Sequence, residues 1–113
     1  MKKIGLLGGL VFGVIGGFGV TLYATDEHPS ELYKQYCAKC HGDDGKADTF
    51  KGRHLKARNF TDAEWQAGES DSALTKSVTE GKDDMPPFGK KLTPEQIESL
   101  VKNDVRGFAP KKG

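Results

Sequence analysis

Two cysteines three residues apart, with a histidine directly after the second, constrain this chain more than any other feature: Cys37-Ala38-Lys39-Cys40-His41. One turn of helix sets the two sulfurs at the spacing of the two vinyl groups of a haem. The next residue then aims its imidazole at the iron. These five residues read as an attachment site for a c-type haem, with Cys37 and Cys40 as thioether anchors and His41 as proximal ligand. Three other chemistries use cysteine pairs. A zinc site needs about four ligands, usually two separated pairs, and the only other histidines are His28 and His54. A redox dithiol follows a strand in a βαβ unit, and no strand-like run precedes Cys37. A disulfide would leave His41 without a role.

The rest of the composition fits a chain completed by a cofactor. The 113 residues allow one small domain beyond whatever the N-terminus does. Hydrophobic residues make up 35%, and there are 15 glycines. Much of both lies in the first 24 residues, and the remainder of the chain is thin in Leu, Ile and Val. A domain of about 90 residues with so few aliphatics is marginal by itself. A covalent haem would supply the missing apolar mass, and the motif uses both cysteines, so no structural disulfide is left. From Asp26 onward there are 15 Lys and Arg against 16 Asp and Glu, a net charge of −1. That argues against nucleic acid, which asks for a net basic face. The charge is segregated: Lys46 to Arg58 holds five cations and one Asp, and Asp62 to Asp84 holds seven acids and two Lys. Two solvated faces would account for this, as would a dipolar surface that orients a redox partner.

The N-terminus predicts a membrane segment. Lys2 and Lys3 precede an uncharged run from Ile4 to Tyr23, about 20 residues or ~30 Å as a helix, enough to span a bilayer. Residues 1–24 are therefore an anchor or a cleaved signal. Cutting after Ala24 would place Leu22 where export cleavage wants a small residue, which favours the anchor. Gly5, Gly9, Gly13 and Gly17 recur every four residues along one helix stripe, the spacing that lets membrane helices approach closely. Self-association or packing on a partner helix is the expectation there, with ordinary glycine content of an export signal as the plain alternative. Lys2 and Lys3 stay inside, and the remainder lies on the periplasmic side, where haem attachment to such a motif takes place. Residues 25–29 form a short linker. The stretch from Ala24 to Pro29 reaches at most ~20 Å, which would keep a haem near the membrane surface. Residues 30–113 are the globular domain.

Within that domain, every readable segment is helical. Pro29 suits a first helical turn, and Leu32, Tyr33, Tyr36 and Cys37 recur at helical spacing. The motif then ends a short helix, with Gly42 as its stop. Asp43 to Asn59 shows no periodicity and reads as a loop. His54 lies in it, either a surface residue or a second histidine ligand. Thr61-Asp62-Ala63-Glu64 reads as a capping box with Phe60 and Trp65 as a staple. Trp65 would pack there or donate to a haem propionate. Ser70 caps a helix through Glu80, with Leu74 and Val78 inward and Gly81 as its stop. Met85, the only methionine besides Met1, stands in the polar, proline-rich stretch Lys82 to Gly89. A thioether held stiffly by Pro86 and Pro87 suits the sixth position on haem iron; the alternative is a side chain packed at the haem edge. Thr93, Pro94 and Gln96 open a last helix with Leu92 stapled to Ile97. Its stripe is Ile97, Leu100, Val101 and Val105, and Gly107 ends it.

Taken together, Cys37 to His41, the Met85-Pro86 loop and the final helix resemble the class I c-type cytochromes, from about Ser30 to Phe108. The resemblance implies an all-α fold around one covalent haem c, with the first and last helices crossing through Tyr33 and Tyr36 against Ile97, Leu100 and Val101. It also implies His41 and Met85 as the two iron ligands. Two departures stand out. Asn103-Asp104 before Val105-Arg106 looks like one inserted polar residue. The proline whose carbonyl often holds the proximal histidine is missing, since none lies between His41 and Met85, so another carbonyl must serve. The expected function is single-electron transfer between redox proteins at the outer face of the cytoplasmic membrane. No bond chemistry is expected of the chain, because a six-coordinate iron has no open site. The alternatives are a cytochrome subunit of a membrane oxidoreductase, and a ligand-binding haem protein in which Met85 is labile.

Overall fold

The computed structural model describes residues 27–111. The membrane segment expected over residues 1–24 and its glycine stripe lie outside the described residues. Among the described residues no helix is long and apolar enough to cross a membrane.

Ser30 starts the first helix, α1 (Glu31–Tyr36), with its hydroxyl accepting from the Tyr33 N–H at 3.1 Å. Pro29 therefore lies one position before the cap and not at the first helical residue, because Ser30 offers the side-chain acceptor that the free N–H groups need. Cys37 joins α1 to α2 (Ala38–His41), which Gly42 ends with a φ of 82°. The stretch expected to be a loop contains a further helix, α3 (Phe50–Leu55), capped by Thr49. It carries no apolar stripe because its inward residue is Gly52: a Cβ there would collide with the Cys40 carbonyl oxygen. The helix packs through bare backbone, so hydrophobic periodicity has nothing to report.

In α4 (Ala63–Gly68) the cap is Asp62 and not Thr61. The Asp62 carboxylate accepts from the Glu64 and Trp65 N–H groups, while Thr61 turns back to Asn59. A carboxylate at a helix N-terminus also meets the positive end of the helix dipole, which a hydroxyl does less well. Phe60 and Trp65 still stack, with ring centroids 5.5 Å apart. Helix α5 (Asp71–Glu80) runs from the Ser70 cap to Gly81, and Leu74 and Val78 are buried, as expected. Helix α6 (Pro94–Ser99) opens with the full Thr93–Gln96 capping box.

The last helix does not continue as an α-helix. Leu100–Val105 winds as a π-helix and Arg106–Phe108 as a 3-10 turn, so Gly107 lies inside the final turn. A π-helical stretch takes one residue more than an α-helix over the same rise. This is where the apparent insertion at Asn103-Asp104 goes. Both Asp104 and Val105 become buried, along with Leu100 and Val101. The architecture is all-α, and the described residues hold no strand beyond one isolated bridge between Lys82 and Met85.

Helix α1 lies against the π-helical segment, so the first and last helices do pack on one another. Tyr33, Ile97, Leu100 and Val101 share the core with Phe60, Leu74, Val78, Phe88 and Leu92. A polar clamp then closes the far side. Arg106 donates to the Gln66 carbonyl and side-chain oxygens, the Glu69 carbonyl and the Asp71 carboxylate. Buried Gln66 in turn donates to the Phe60 and Val105 carbonyls, both at 2.8 Å. Arg106→Ala leaves several of these oxygens without a donor. It should cost about 2 kcal/mol, seen as a drop of about 10 °C in the Tm of the haem-loaded protein.

Candidate haem-binding site

The turn at Cys37 places the two thiols. Cys37 ends α1 and begins α2, and its carbonyl accepts from the His41 N–H at 2.9 Å. Both Cys37 and Cys40 are half-buried, and they form no disulfide. Before haem attachment, burial, and then the Asp104 carboxylate, push the Cys37 thiol up to about 12.

His41 is buried, and its Nδ1 lies 3.0 Å from the Arg58 carbonyl oxygen. A carbonyl only accepts, so Nδ1 carries the proton and Nε2 keeps its lone pair. Phe60 stacks on the ring at 4.2 Å between centroids. Burial lowers the His41 pKa, and the Arg58 carbonyl partly offsets this. The result is a neutral imidazole with a fixed tautomer and fixed ring plane, the state a metal ligand needs. The missing proline is thus replaced by the carbonyl of Arg58, brought there by residues 42–60. That segment is held by three further bonds: Ala47 N–H to the His41 carbonyl at 2.7 Å, Phe60 N–H to the Gly45 carbonyl at 2.7 Å, and Thr49 hydroxyl to the Cys40 carbonyl at 2.8 Å. Tyr33, wholly buried, donates its hydroxyl to the Gly42 carbonyl at 2.6 Å. Burial pushes the pKa of that hydroxyl strongly upward, so it remains a donor.

Met85 is half-buried and packs against the same core as Cys37. Its loop is tied to Lys82 through two backbone bonds, and to the end of α5 by Phe88 N–H to the Val78 carbonyl and Gly89 N–H to the Thr79 carbonyl. Gly81, at φ 84°, leaves room for the Met85 carbonyl, which a Cβ would approach to 2.8 Å. Tyr36, next to Cys37, meets Phe88, three residues past Met85, edge-on at 6.1 Å. Two segments 48 residues apart in sequence, from Cys37 to Met85, are thereby brought together. His54 is exposed on α3, and His28 meets Phe108 with ring centroids 4.4 Å apart and planes tilted by 58°. Trp65 packs on Phe60.

The family model described as cytochrome c oxidase, cbb3-type, subunit III matches residues 24–102. The chain belongs to this family of c-type cytochromes. A solved c-type cytochrome, KustC0563, is 49% identical with a TM-score of 0.65, over 70% of this chain and 94% of that one. Cytochrome c6 of Aphanizomenon flos-aquae is 37% identical over 62% of this chain and 76% of its own length. The cbb3-type oxidase subunit FixP of Azorhizobium caulinodans is 32% identical over 64% of this chain, but the match spans only 24% of that protein. As a c-type cytochrome the chain carries one covalently bound haem c. The donor set fits that group: two thiols one helical turn apart, and an imidazole whose Nε2 alone is free.

Residues outside the motif complete the site, and several had no sequence signal. The Arg58 contribution is a backbone carbonyl, which leaves no trace in residue type. Gly52 was legible only as one glycine among 15. Gly52→Ala would drive a methyl group into the Cys40 carbonyl. We expect a loss of about 3 kcal/mol in stability and a severalfold fall in haem per chain, read from the ratio of haem to protein absorbance.

Proposed function

We propose that this cytochrome relays single electrons, taking one from a reduced donor protein and passing one to an oxidised acceptor, and itself makes and breaks no bond. Cys37 and Cys40 are the thioether anchors, His41 the proximal ligand and Met85 the distal ligand. A bound haem supplies one-electron chemistry at its iron; everything else falls to the chain. His41 presents Nε2, and the Arg58 carbonyl, through Nδ1–H, raises its basicity and stops the ring from rotating. Phe60 closes one face of the imidazole against water. Met85 offers a thioether, a ligand that raises the reduction potential, and Pro86 and Pro87 limit how far the loop can withdraw it.

The observation that supports this reading is the buried His41 with its Nδ1 held by the Arg58 carbonyl, and Met85 packed on the core whose Phe60 stacks on that ring. The oxidised protein should show the weak red charge-transfer band of a sulfur–iron bond. Met85→Ala should abolish that band and lower the potential. A wild-type spectrum without it would rule out Met85 as ligand.

A second reading is favoured by the family match. FixP is named as a subunit of a cbb3-type cytochrome c oxidase, and this chain would then be a cytochrome module of a membrane respiratory complex. In either case residues 1–24 anchor it, 25–29 form the linker, and the domain from residue 30 onward faces the periplasm. Gly5, Gly9, Gly13 and Gly17 would pack against a partner helix or a second copy. Mild detergent extraction separates the two readings. A subunit should copurify with a larger oxidase in fixed ratio, whereas a free carrier should elute alone.

A further inference from the structure

One buried charge takes no part in holding the haem. Asp104 is 1% exposed and is the only buried Asp, Glu, Lys or Arg among the described residues. The π-helical winding of Leu100–Val105 turns it inward beside Val105. One carboxylate oxygen accepts from the Ser30 N–H and the other from the Ser30 hydroxyl, both at 2.8 Å. Each partner is a donor, the pattern that suits an ionised carboxylate. His28 Nε2 reaches the Asp104 backbone carbonyl and not the carboxylate. Among the described residues no cation pairs with Asp104. An unpaired buried carboxylate is costly, and a π-helical insertion often marks a functional position.

Its place in the fold suggests what it does. Ser30 caps α1, and the other end of α1 is Cys37, seven residues on, or about 10 Å along the axis. Inside protein a charge acts over that distance far more strongly than in water.

We infer that Asp104 is a fixed negative charge at the far end of α1 that favours the oxidised over the reduced haem and so lowers the reduction potential. It would act through its electric field, since its hydrogen bonds go to Ser30 and His28 and not to His41 or Met85. One electron enters from the donor and one leaves to the acceptor, while Asp104 exchanges neither proton nor electron. The inference rests on the haem assignment above.

Two variants that loosen the same latch should move the potential in opposite directions. Asp104→Asn removes the charge and keeps the shape. At a fixed ambient potential its ratio of reduced to oxidised haem should rise about tenfold, which is about 59 mV for one electron. Ser30→Ala keeps the charge but removes a donor that neutralises it, so the ratio should fall about twofold. Because the charge is buried, both shifts should persist at high ionic strength. The measurement is a spectroelectrochemical titration of the haem-loaded full chain, with Tm followed in parallel. A purely structural Asp104 would lower Tm in both variants and leave the potential unmoved or move it the same way, and either result overturns the inference. If Asp104→Asn takes up no haem, Ser30→Ala decides alone: a fall supports the inference, and no change or a rise overturns it. A wild-type protein lacking a haem spectrum would count against the haem assignment instead.

Discussion

The packing of α1 on the last helical segment sets everything else. Tyr33 and Val101 are fully buried there, and Asp104 holds the start of α1 by two hydrogen bonds to Ser30. Helix α1 is only six residues long, too short to persist alone in water. It exists because one face is buried against its partner and both its ends are tied. The motif hangs from the far end of this helix, so the orientation of the thiols is inherited from a contact made by residues near the other terminus.

The second constraint is local and acts on His41. An imidazole offers two nitrogens, and only a partner for one of them decides which faces a metal. Residues 42–60 provide that partner by folding back until the Arg58 carbonyl meets Nδ1. The fold-back is possible because Gly52 lets α3 touch the backbone of α2, and because Thr49 serves both helices at once, capping α3 and donating to Cys40. Backbone groups carry most of this arrangement. Side-chain type is only loosely coupled to it, which is why the carbonyl of an arginine can do the job expected of a proline's.

Helices that begin with a side-chain cap and bury an aliphatic stripe were legible in advance. The α5 helix, from Ser70 to Gly81 with Leu74 and Val78 inward, and the start of α6 at Thr93 agree with expectation, because both signals are local and periodic. Helix α3 was not legible, since its buried face is a glycine. At α4 the competing caps Thr61 and Asp62 were adjacent, and the residue chosen depended on Asn59 drawing Thr61 away. The extra polar residue near Asn103 was visible as an irregularity, but its outcome was not. A carboxylate on a regular helix is usually turned to solvent; the π-helical winding and the Ser30 donors brought Asp104 inside.

The motif from Cys37 to His41, the lone Met85 before two prolines, and the poverty of aliphatic residues determined by themselves that this is a helical chain built around a covalent haem. Those features are short-range chemistry, and no distant contact is needed to read them. Tertiary structure alone decided which carbonyl orients His41, how Tyr36 and Phe88 bring the Met85 loop to the motif, and that one carboxylate is buried at the end of α1. Each depends on segments far apart in sequence meeting, through a backbone carbonyl, an aromatic side-chain contact or a change in helical winding. Which segments meet, and how, is not written in the order of residue types.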